Sequence, residues 1–485
     1  MKAPNERITE AAAVVPSTRQ LAWQNLEFYA FLHFGINTFT NSEWGTGSEN
    51  PELFQPKGLD CRQWAKVIKL GGMRGMILTA KHHDGFCLWP TETTDHSVAA
   101  SSWREGKGDV VREAAEAAKA YGLAFGLYLS PWDRHEMCYG SGKAYNDFYL
   151  RQLRELLTNY GELFCVWLDG ACGEGKNGRK QEYDWQSYFA LIRELQPNAV
   201  ICICGPDVRW VGNEAGVCRS SEWSVVPAFH SSADKIAAAS QQAAGKAPAV
   251  PGGVNATYWD LGSRKALQKA KDWPLIWYPA EVDVSIRPGW FYHEKEDYAV
   301  KPLAKLRDMY YKSVGANASL LLNIPPNPEG KIAERDTETL LSLGAQLKID
   351  FKENLAEGST ITASQSRDDL HAGQMALDPN PERYWHSGPL EKPAELILDL
   401  GEDFDINKIV LQEHIATGQQ IEKFSLWWDS NVEGKGKGPK WERIAQETVI
   451  GHKRVCLFNE RRVQRFKLVI EEARGFATLQ GWEAY

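Results

Sequence analysis

The chain has 485 residues, of which 43% are apolar and 24% charged; it is too long for one ordinary core and too apolar to be largely disordered, so we expect two domains. A net charge of −8 argues against a nucleic-acid partner, because such proteins usually present a basic face. The nine cysteines are scattered without a CxxC pair, which indicates neither a zinc ribbon nor a disulfide framework.

The first residues lack the apolar stretch of a signal peptide, and no run is long and apolar enough to span a bilayer. We therefore expect no membrane contact. The protein is expected to be periplasmic or secreted, with a signal peptide removed before this numbering begins, or else cytoplasmic.

Residues 28–323 show a repeated strand-then-helix rhythm, which is typical of a parallel sheet covered by helices. The predicted strands are 28–35, 75–81, 123–129, 165–168, 199–204, 274–279 and 319–326. The predicted helices are 60–70, 110–121, 145–160 and 185–195. Residues 231–253, rich in Ala, Gln, Ser and Gly, are interpreted as an excursion or lid. About eight strands can be counted or allowed, which favours a (β/α)8-like barrel.

The pattern changes near residue 348. Residues 354–485 contain short strands with period-two alternation, such as 394–400, 408–411 and 424–428, separated by Gly, Pro and Asp turns. This composition predicts a β-sandwich, and the glycine- and lysine-rich residues 434–438 are interpreted as a solvated loop. The predicted domains are therefore a barrel over residues 1–347 and a sandwich over residues 348–485.

The apolar run 165–168 ends abruptly at Asp169 and Gly170. A buried parallel strand that carries an acid at its C-terminal end is how barrel enzymes present catalytic groups. The alternative is that Asp-Gly is simply the turn that stops the strand.

Other polar residues are predicted at the same ends of the strands or on the loop 205–216, so that all would converge on one rim of the barrel. They are His33, His82, His83, Tyr128, Asp169, Arg209 and Glu214. Taken singly, His33 and Tyr128 are also explained as structural groups that have found hydrogen-bond partners.

A metal site is a minor alternative. Adjacent residues on a strand point to opposite faces, so we expect that His82 and His83 cannot easily ligate one ion. The chain contains no HxH or HExxH motif. We expect no metal and no cofactor.

A pair of carboxylates beside abundant tryptophan suggests glycoside hydrolysis, where one carboxylate acts as acid/base and the other as base or nucleophile. Asp169 is the first candidate. For the second, Glu214 lies on a glycine-flanked loop next to an aromatic residue, and Glu222 and Glu281 are rivals. The residues alone do not choose among these three.

Several motifs together resemble the α-L-fucosidases of glycoside hydrolase family 29. In chain order they are Phe-Leu-His-Phe-Gly at 31–35, Ser-Glu-Trp-Gly at 42–45, Lys-His-His-Asp-Gly-Phe at 81–86, Tyr-Leu-Ser-Pro-Trp at 128–132, Trp-Leu-Asp-Gly at 167–170 and Trp-Val-Gly-Asn-Glu at 210–214. The resemblance covers residues 21–326, and the sandwich is similar to the discoidin-like, carbohydrate-binding-type modules often attached to this family.

The resemblance implies a retaining exo-hydrolase for terminal α-linked L-fucose, acting on a fucosylated oligosaccharide or glycoconjugate. It implies that Asp169 is the nucleophile and that Glu214 is the acid/base, with the two carboxyls about 5–5.5 Å apart. The residues that it implies hold fucose are His33, Glu43, Trp44, His82, His83 and Tyr128. Arg209 is also predicted to bind substrate.

The block at 210–214 resembles the subgroup that prefers α1,3- and α1,4-linked fucose in Lewis-type glycans, where Arg287 and Trp290 would contact neighbouring sugars. The alternatives are a fucosidase of broad specificity and a catalytically silent glycan-binding protein. In the sandwich, Trp385, His386 or Trp427 either stack on sugar or fill the core and the seam against the barrel, and we favour the structural role.

Overall fold

The computed structural model describes residues 4–240, 260–431 and 438–485. The helices are α1 Pro4–Ala12, α2 Thr18–Gln24, α3 Ile36–Thr40, α4 Cys61–Leu70, α5 Val110–Ala120, α6 Lys143–Asn159, α7 Trp185–Leu195, α8 Ala233–Ser240, α9 Arg264–Lys269, α10 Leu303–Ser313 and α11 Glu334–Asp350. The strands of the N-terminal part are β1 Phe28–Leu32, β2 Gly75–Lys81, β3 Ala124–Leu129, β4 Cys165–Leu168, β5 Val200–Ile203, β6 Arg209–Trp210, β7 Val225–Pro227, β8 Leu275–Trp277, β9 Ala280–Ser285 and β10 Ser319–Asn323.

Eight of these strands form one parallel sheet in the order β5-β4-β3-β2-β1-β10-β9-β6. A parallel bridge between Cys202 and Val208 brings the two outer strands together, so the sheet is a nearly closed barrel. This confirms the predicted barrel. Because all strands run the same way, their C-terminal ends share one rim.

The helices around the barrel follow the apolar pattern of the sequence. In α4, Trp64, Val67 and Ile68 are buried on one face, the Asp60 side chain accepts a hydrogen bond from Gln63 N at the helix start, and Gly71 caps the end. Helix α5 packs beside α4 and over β2 and β3. The predicted helix at 185–195 matches α7 in both bounds.

Two predictions about the barrel strands were wrong. The run predicted at 274–279 forms β8, but β8 pairs antiparallel with β7 outside the barrel. The barrel strand is β9. Its polar residues Glu281, Asp283 and Ser285 alternate with buried valines and face the barrel interior. A search for apolar runs misses this pattern. In addition, Arg209 does not lie on a loop; it begins β6, which pairs with β9.

The C-terminal strands are β11 Thr360–Ala363, β12 Trp385–Pro389, β13 Ala394–Gln412, β14 Ile421–Asp429, β15 Trp441–Glu447, β16 Arg454–Ala473, β17 Phe476–Leu479 and β18 Gly481–Ala484. Six of them form an antiparallel sheet built on the long pair β13 and β16, and β12 pairs with β17. This confirms the predicted antiparallel β module. The division of the chain at residues 347 and 348 stays a prediction.

The three aromatic candidates of this module differ in exposure. Trp385 has no exposed surface and donates its indole N–H to Gln365 O, so it fills the core. His386 is buried and stacks on Phe476. Trp427 is half-buried, with Lys467 above its ring at 5.7 Å. Sugar binding by this module stays untested.

Polar side chains join the C-terminal module to the barrel domain. Gln420 donates to Ala12 O (2.8 Å), and Arg454 donates to Ser220 O (3.0 Å). The predicted excursion at 231–253 begins with α8, and residues 241–253 lie outside the described part. The loop predicted at 434–438 also lies largely outside it. No helix in the described ranges is long and apolar enough to cross a membrane, and the compartment stays a prediction.

Candidate active site

The first four barrel strands deliver polar side chains to one rim. His33 follows β1, His82 and His83 follow β2, and Tyr128 lies near the end of β3. The ring centroids of His33 and His82 are 5.5 Å apart, and those of His82 and Tyr128 are 5.8 Å apart. Asp169, directly after β4, completes the group. The structure therefore brings these five predicted residues together.

Asp169 accepts hydrogen bonds from two donors. Tyr128 Oη donates to Oδ2 (2.8 Å), and the backbone N–H of Ala171 donates to Oδ1 (2.7 Å). Burial raises the pKa of Asp169, and these hydrogen bonds oppose that shift because they stabilise the carboxylate. Burial and the charge of Asp169 raise the pKa of Tyr128 well above its usual value, so the phenol remains a donor.

His33 is a neutral histidine. Burial lowers its pKa to about 3. Nδ1 lies 2.8 Å from Asn323 Oδ1, an acceptor, so the ring proton belongs on Nδ1. Its other nitrogen, Nε2, is then an acceptor. The ring also lies 5.1 Å from that of Trp290.

His83 has the same tautomer for a different reason. Ser130 donates its only hydroxyl proton to Trp132 O (2.7 Å), so its oxygen accepts from His83 Nδ1 (2.7 Å). His83 Nε2 then faces Asp169 Oδ2 at 3.8 Å. Burial lowers the pKa of His83 to about 3 and that of His82 well below its usual value.

The expectation that His82 and His83 point to opposite faces was wrong. Strand β2 ends at Lys81, so both histidines follow the strand in a turn and their ring centroids lie 4.1 Å apart. Even so, in the ranges that the structure describes, no cluster of three or more His, Cys, Asp or Glu side chains is arranged to hold a metal ion.

Glu214 lies at the barrel mouth near Asp169. Part of the residue is exposed, but the protein around its carboxyl and the negative charge of Asp169 raise its pKa. The Trp290 side chain donates a hydrogen bond to it, which acts in the opposite direction. A third carboxyl is close by: Asp283 accepts a hydrogen bond from Trp210 Nε1 (2.6 Å), and burial and the charge of Glu214 raise its pKa strongly.

Glu43 and Trp44 stand on the rim above the histidines. The Trp44 ring lies 5.8 Å from His83 and 5.5 Å from Trp132, edge to face in both cases. The Glu43 carboxylate accepts from the backbone N–H of Trp290 (2.9 Å). The rim is therefore joined to the segment that carries Trp290.

The two rival acids occupy different environments. Glu222 is buried and paired with Arg209 and Arg219, whose charges lower its pKa, so it is a poor proton donor. Glu281 has no exposed surface and accepts hydrogen bonds from Tyr29 and Trp167 inside the barrel. Burial raises the pKa of Glu281 to about 7.

The structure does not bring the two predicted arginines to the rim. Arg209 is buried, pairs with Glu222 and donates to Tyr278 O (2.9 Å). Arg287 has no exposed surface and pairs with Asp336 (2.9 Å) and Asp297 (2.8 Å).

Sequence reasoning missed three residues at the site. Asn323 ends β10 and accepts from His33, and its position at a strand end was available as a signal. Asp283 was missed because strand β9 was not predicted from the sequence. His293, whose Nε2 lies 2.7 Å from Glu43 Oε1, follows an irregular segment that carries no sequence signal.

Comparison with known proteins identifies the family of the chain. The α-L-fucosidase family model matches residues 23–351. The chain is 43% identical to α-L-fucosidase 1 of Arabidopsis thaliana over 465 residues, covering 95% of this chain and 85% of the relative. A Bacteroides ovatus crystal structure superposes with a TM-score of 0.85 at 43% identity, covering 100% of this chain and 76% of that one.

A further solved structure is a glycoside hydrolase family 29 fucosidase of Ruminococcus gnavus in complex with fucose. It superposes with a TM-score of 0.82 at 30% identity, covering 98% of this chain and 95% of that one. With a family model that spans most of the chain and relatives of this similarity, the chain belongs to the α-L-fucosidases of glycoside hydrolase family 29.

Proposed function

We propose that the protein is a retaining exo-α-L-fucosidase in which Asp169 is the nucleophile and Glu214 the acid/base. One observation carries this assignment: Asp169 and Glu214 are neighbouring carboxyls that interact electrostatically, and their hydrogen-bond partners differ. Two hydrogen bonds stabilise the Asp169 carboxylate, whereas the charge of Asp169 favours a proton on Glu214.

The reaction then proceeds in two displacements. An oxygen of Asp169 forms a bond to the anomeric carbon of fucose while the bond to the leaving oxygen breaks, and Glu214 gives its proton to that oxygen. In the second step Glu214 takes a proton from water, whose oxygen bonds to the anomeric carbon as the ester to Asp169 breaks. Fucose is released with its original anomeric configuration.

The side chains around Asp169 suit a sugar. His33 and His83 are neutral and each has Nε2 as an acceptor for a hydroxyl. We infer that His82, Tyr128 and Glu43 contribute further polar contacts and that Trp44 and Trp290 cover apolar faces of the sugars. Arg209 and Arg287 are buried in ion pairs, so we assign them to the frame that supports the site.

We further propose a preference for α1,3- and α1,4-linked fucose, supported by the motif at 210–214. The test compares kcat/KM on a Lewis trisaccharide with kcat/KM on a linear 2'-fucosylated oligosaccharide. The proposal expects the branched substrate to be hydrolysed at least ten times faster. Equal rates would indicate broad specificity instead.

Loss-of-function variants test the reaction itself. Asp169→Ala should abolish fucose release while ligand binding persists, and near-normal activity would contradict the assignment. Glu214→Ala should still cleave aryl fucosides with good leaving groups and should be rescued by azide, because azide needs no general base. Binding without turnover in the wild-type protein would instead indicate a silent glycan-binding protein.

A further inference from the structure

The segment 289–293, which follows β9, is fastened to Glu43, which lies in the loop region after β1. Glu43 Oε2 accepts from Trp290 N (2.9 Å), and Oε1 accepts from Phe291 N (3.2 Å) and lies 2.7 Å from His293 Nε2. A Cβ at Gly289 would approach Glu43 Oε1 to 2.5 Å, so a larger residue there would displace the Glu43 carboxylate from this position. One carboxylate therefore fixes the backbone at two consecutive residues.

His293 braces that carboxylate. Its side chain is 8% exposed, and its two ring nitrogens face two acceptor oxygens: Nε2 faces Glu43, and Nδ1 lies 2.6 Å from Asn41 Oδ1. These two contacts together hold Glu43 at a fixed position relative to Asn41. Within the described ranges His293 makes no hydrogen bond or ion pair with Asp169 or Glu214, so its role is indirect.

Trp290 links the segment 289–293 to the active site. The carbonyl oxygen of Trp290 accepts from Asn323 Nδ2 (2.8 Å), while its N–H is held by Glu43. The backbone is thus fixed on both sides, and the side chain donates to Glu214. A displacement of this backbone would move the donor away from the Glu214 carboxyl.

We propose that His293 is a positioning residue for the general acid, acting through Glu43 and Trp290 on the orientation of Glu214. The proposal rests on the acid/base role of Glu214 described above. It also gives Glu43 a second role besides contact with fucose, because the same carboxylate holds the segment that orients the acid.

The test uses the leaving group, since only a poor leaving group needs a proton from the acid. His293→Phe keeps a ring but removes both ring nitrogens. We expect kcat/KM to fall on the order of tenfold or more for an oligosaccharide, a part of what general acid catalysis contributes. For 2,4-dinitrophenyl fucoside, which needs no acid but shares the fucose contact of Glu43, kcat/KM should fall much less. His293→Gln, whose amide can still donate to Glu43, should restore part of the loss.

A matched control is His414→Phe. His414 is likewise buried, but it lies in the C-terminal module, where Nδ1 is 3.0 Å from Gln480 Oε1, so its replacement should affect both substrates equally. A similar loss on both substrates, or none on either, in His293→Phe would overturn the proposal. If that variant does not fold, Asn41→Gly decides in the same way, because glycine tolerates the left-handed backbone at Asn41 (φ 54°) while the brace is removed.

The same experiment distinguishes a failure of the acid/base assignment of Glu214 from a failure of the positioning role of His293. If Glu214→Ala shows no dependence on the leaving group, the acid/base assignment itself fails. If Glu214→Ala shows the dependence and His293→Phe does not, only the positioning role fails.

Discussion

Tyr128 Oη lies 2.8 Å from Asp169 Oδ2, and the two residues end neighbouring strands of the barrel. The phenol is fully buried and its pKa is raised well above the usual value. It therefore keeps its proton at neutral pH, and its hydrogen bond stabilises the carboxylate form of Asp169.

The variant Tyr128→Phe should raise the pKa of Asp169 because it removes a donor to the charged form. The acid limb of the kcat/KM profile should move to higher pH, since Asp169 would then lose its charge sooner as the pH falls. A hydrogen bond to a charged group contributes about 1.5–3 kcal/mol, so kcat/KM at neutral pH should fall about 10- to 100-fold.

Tyr149→Phe is the control for this experiment. Tyr149 is also buried, but it donates to the backbone of Leu129 (2.8 Å) and makes no hydrogen bond to a carboxylate. The acid limb of the kcat/KM profile should not move in Tyr149→Phe. An unmoved limb in Tyr128→Phe would show that the phenol does not control the charge of Asp169.

Glu222 is expected to be important for stability and not for proton transfer. Its carboxylate pairs with Arg209 and Arg219 in the interior, so Glu222→Gln leaves buried cations without their partner. The free energy of unfolding should fall by about 3–5 kcal/mol, measured by urea denaturation. Azide should not rescue this variant. A stable Glu222→Gln variant with slow, azide-rescued turnover would show that Glu222 is the acid.

Glu281 should make stability depend on pH. Burial raises its pKa from 4.5 to about 7 in the folded protein, so the folded state holds a proton that the unfolded chain has released. Its contribution is therefore fully present below about pH 4.5 and is lost as the pH rises toward 7. Replacement by glutamine removes this titration.

Glu281→Gln should accordingly flatten the fall of unfolding free energy between pH 5 and 7 by up to about 1.4 kcal/mol per pH unit. Chemical denaturation at several pH values measures this slope. Glu353→Gln, at an exposed position, is the control and should leave the slope unchanged. Parallel curves for wild type and Glu281→Gln would mean that the carboxyl titrates alike in both states.

Chelation tests the metal-dependent alternative. In the described part of the chain His82 and His83 lie side by side, yet no third ligand of suitable type joins them. Treatment with EDTA followed by gel filtration should leave kcat/KM unchanged. A loss that zinc or another divalent ion restores would favour the metal hydrolase.

Much of the barrel could be predicted because its strands are apolar runs that end at turn residues. The bounds of β2 and α7 were predicted to the residue for this reason. Strand β9 escaped because Glu281 and Asp283 interrupt the apolar pattern, and their partners Trp167 and Trp210 come from other strands. Local sequence does not show which polar residues a closed barrel will bury together.

The residues of the site were likewise predicted only in part. Residues at strand ends, such as His33 and Asp169, could be placed from the rhythm of the chain, and the family resemblance supplied Glu214. The ion pairs of Arg209 and Arg287 could not be predicted, because their partners are distant in sequence or arise from irregular segments. The same applies to His293, which depends on tertiary contacts with Asn41 and Glu43.

The central claim is that Asp169 forms the covalent bond to fucose. It is tested most directly by incubating the enzyme with 2-deoxy-2-fluoro-fucosyl fluoride, which slows hydrolysis of the intermediate, and mapping the labelled peptide by mass spectrometry. The account predicts one fluorofucosyl group on the peptide that contains Asp169, and none in Asp169→Ala. A label on another carboxylate, or rapid turnover with inverted product and no label, would contradict it.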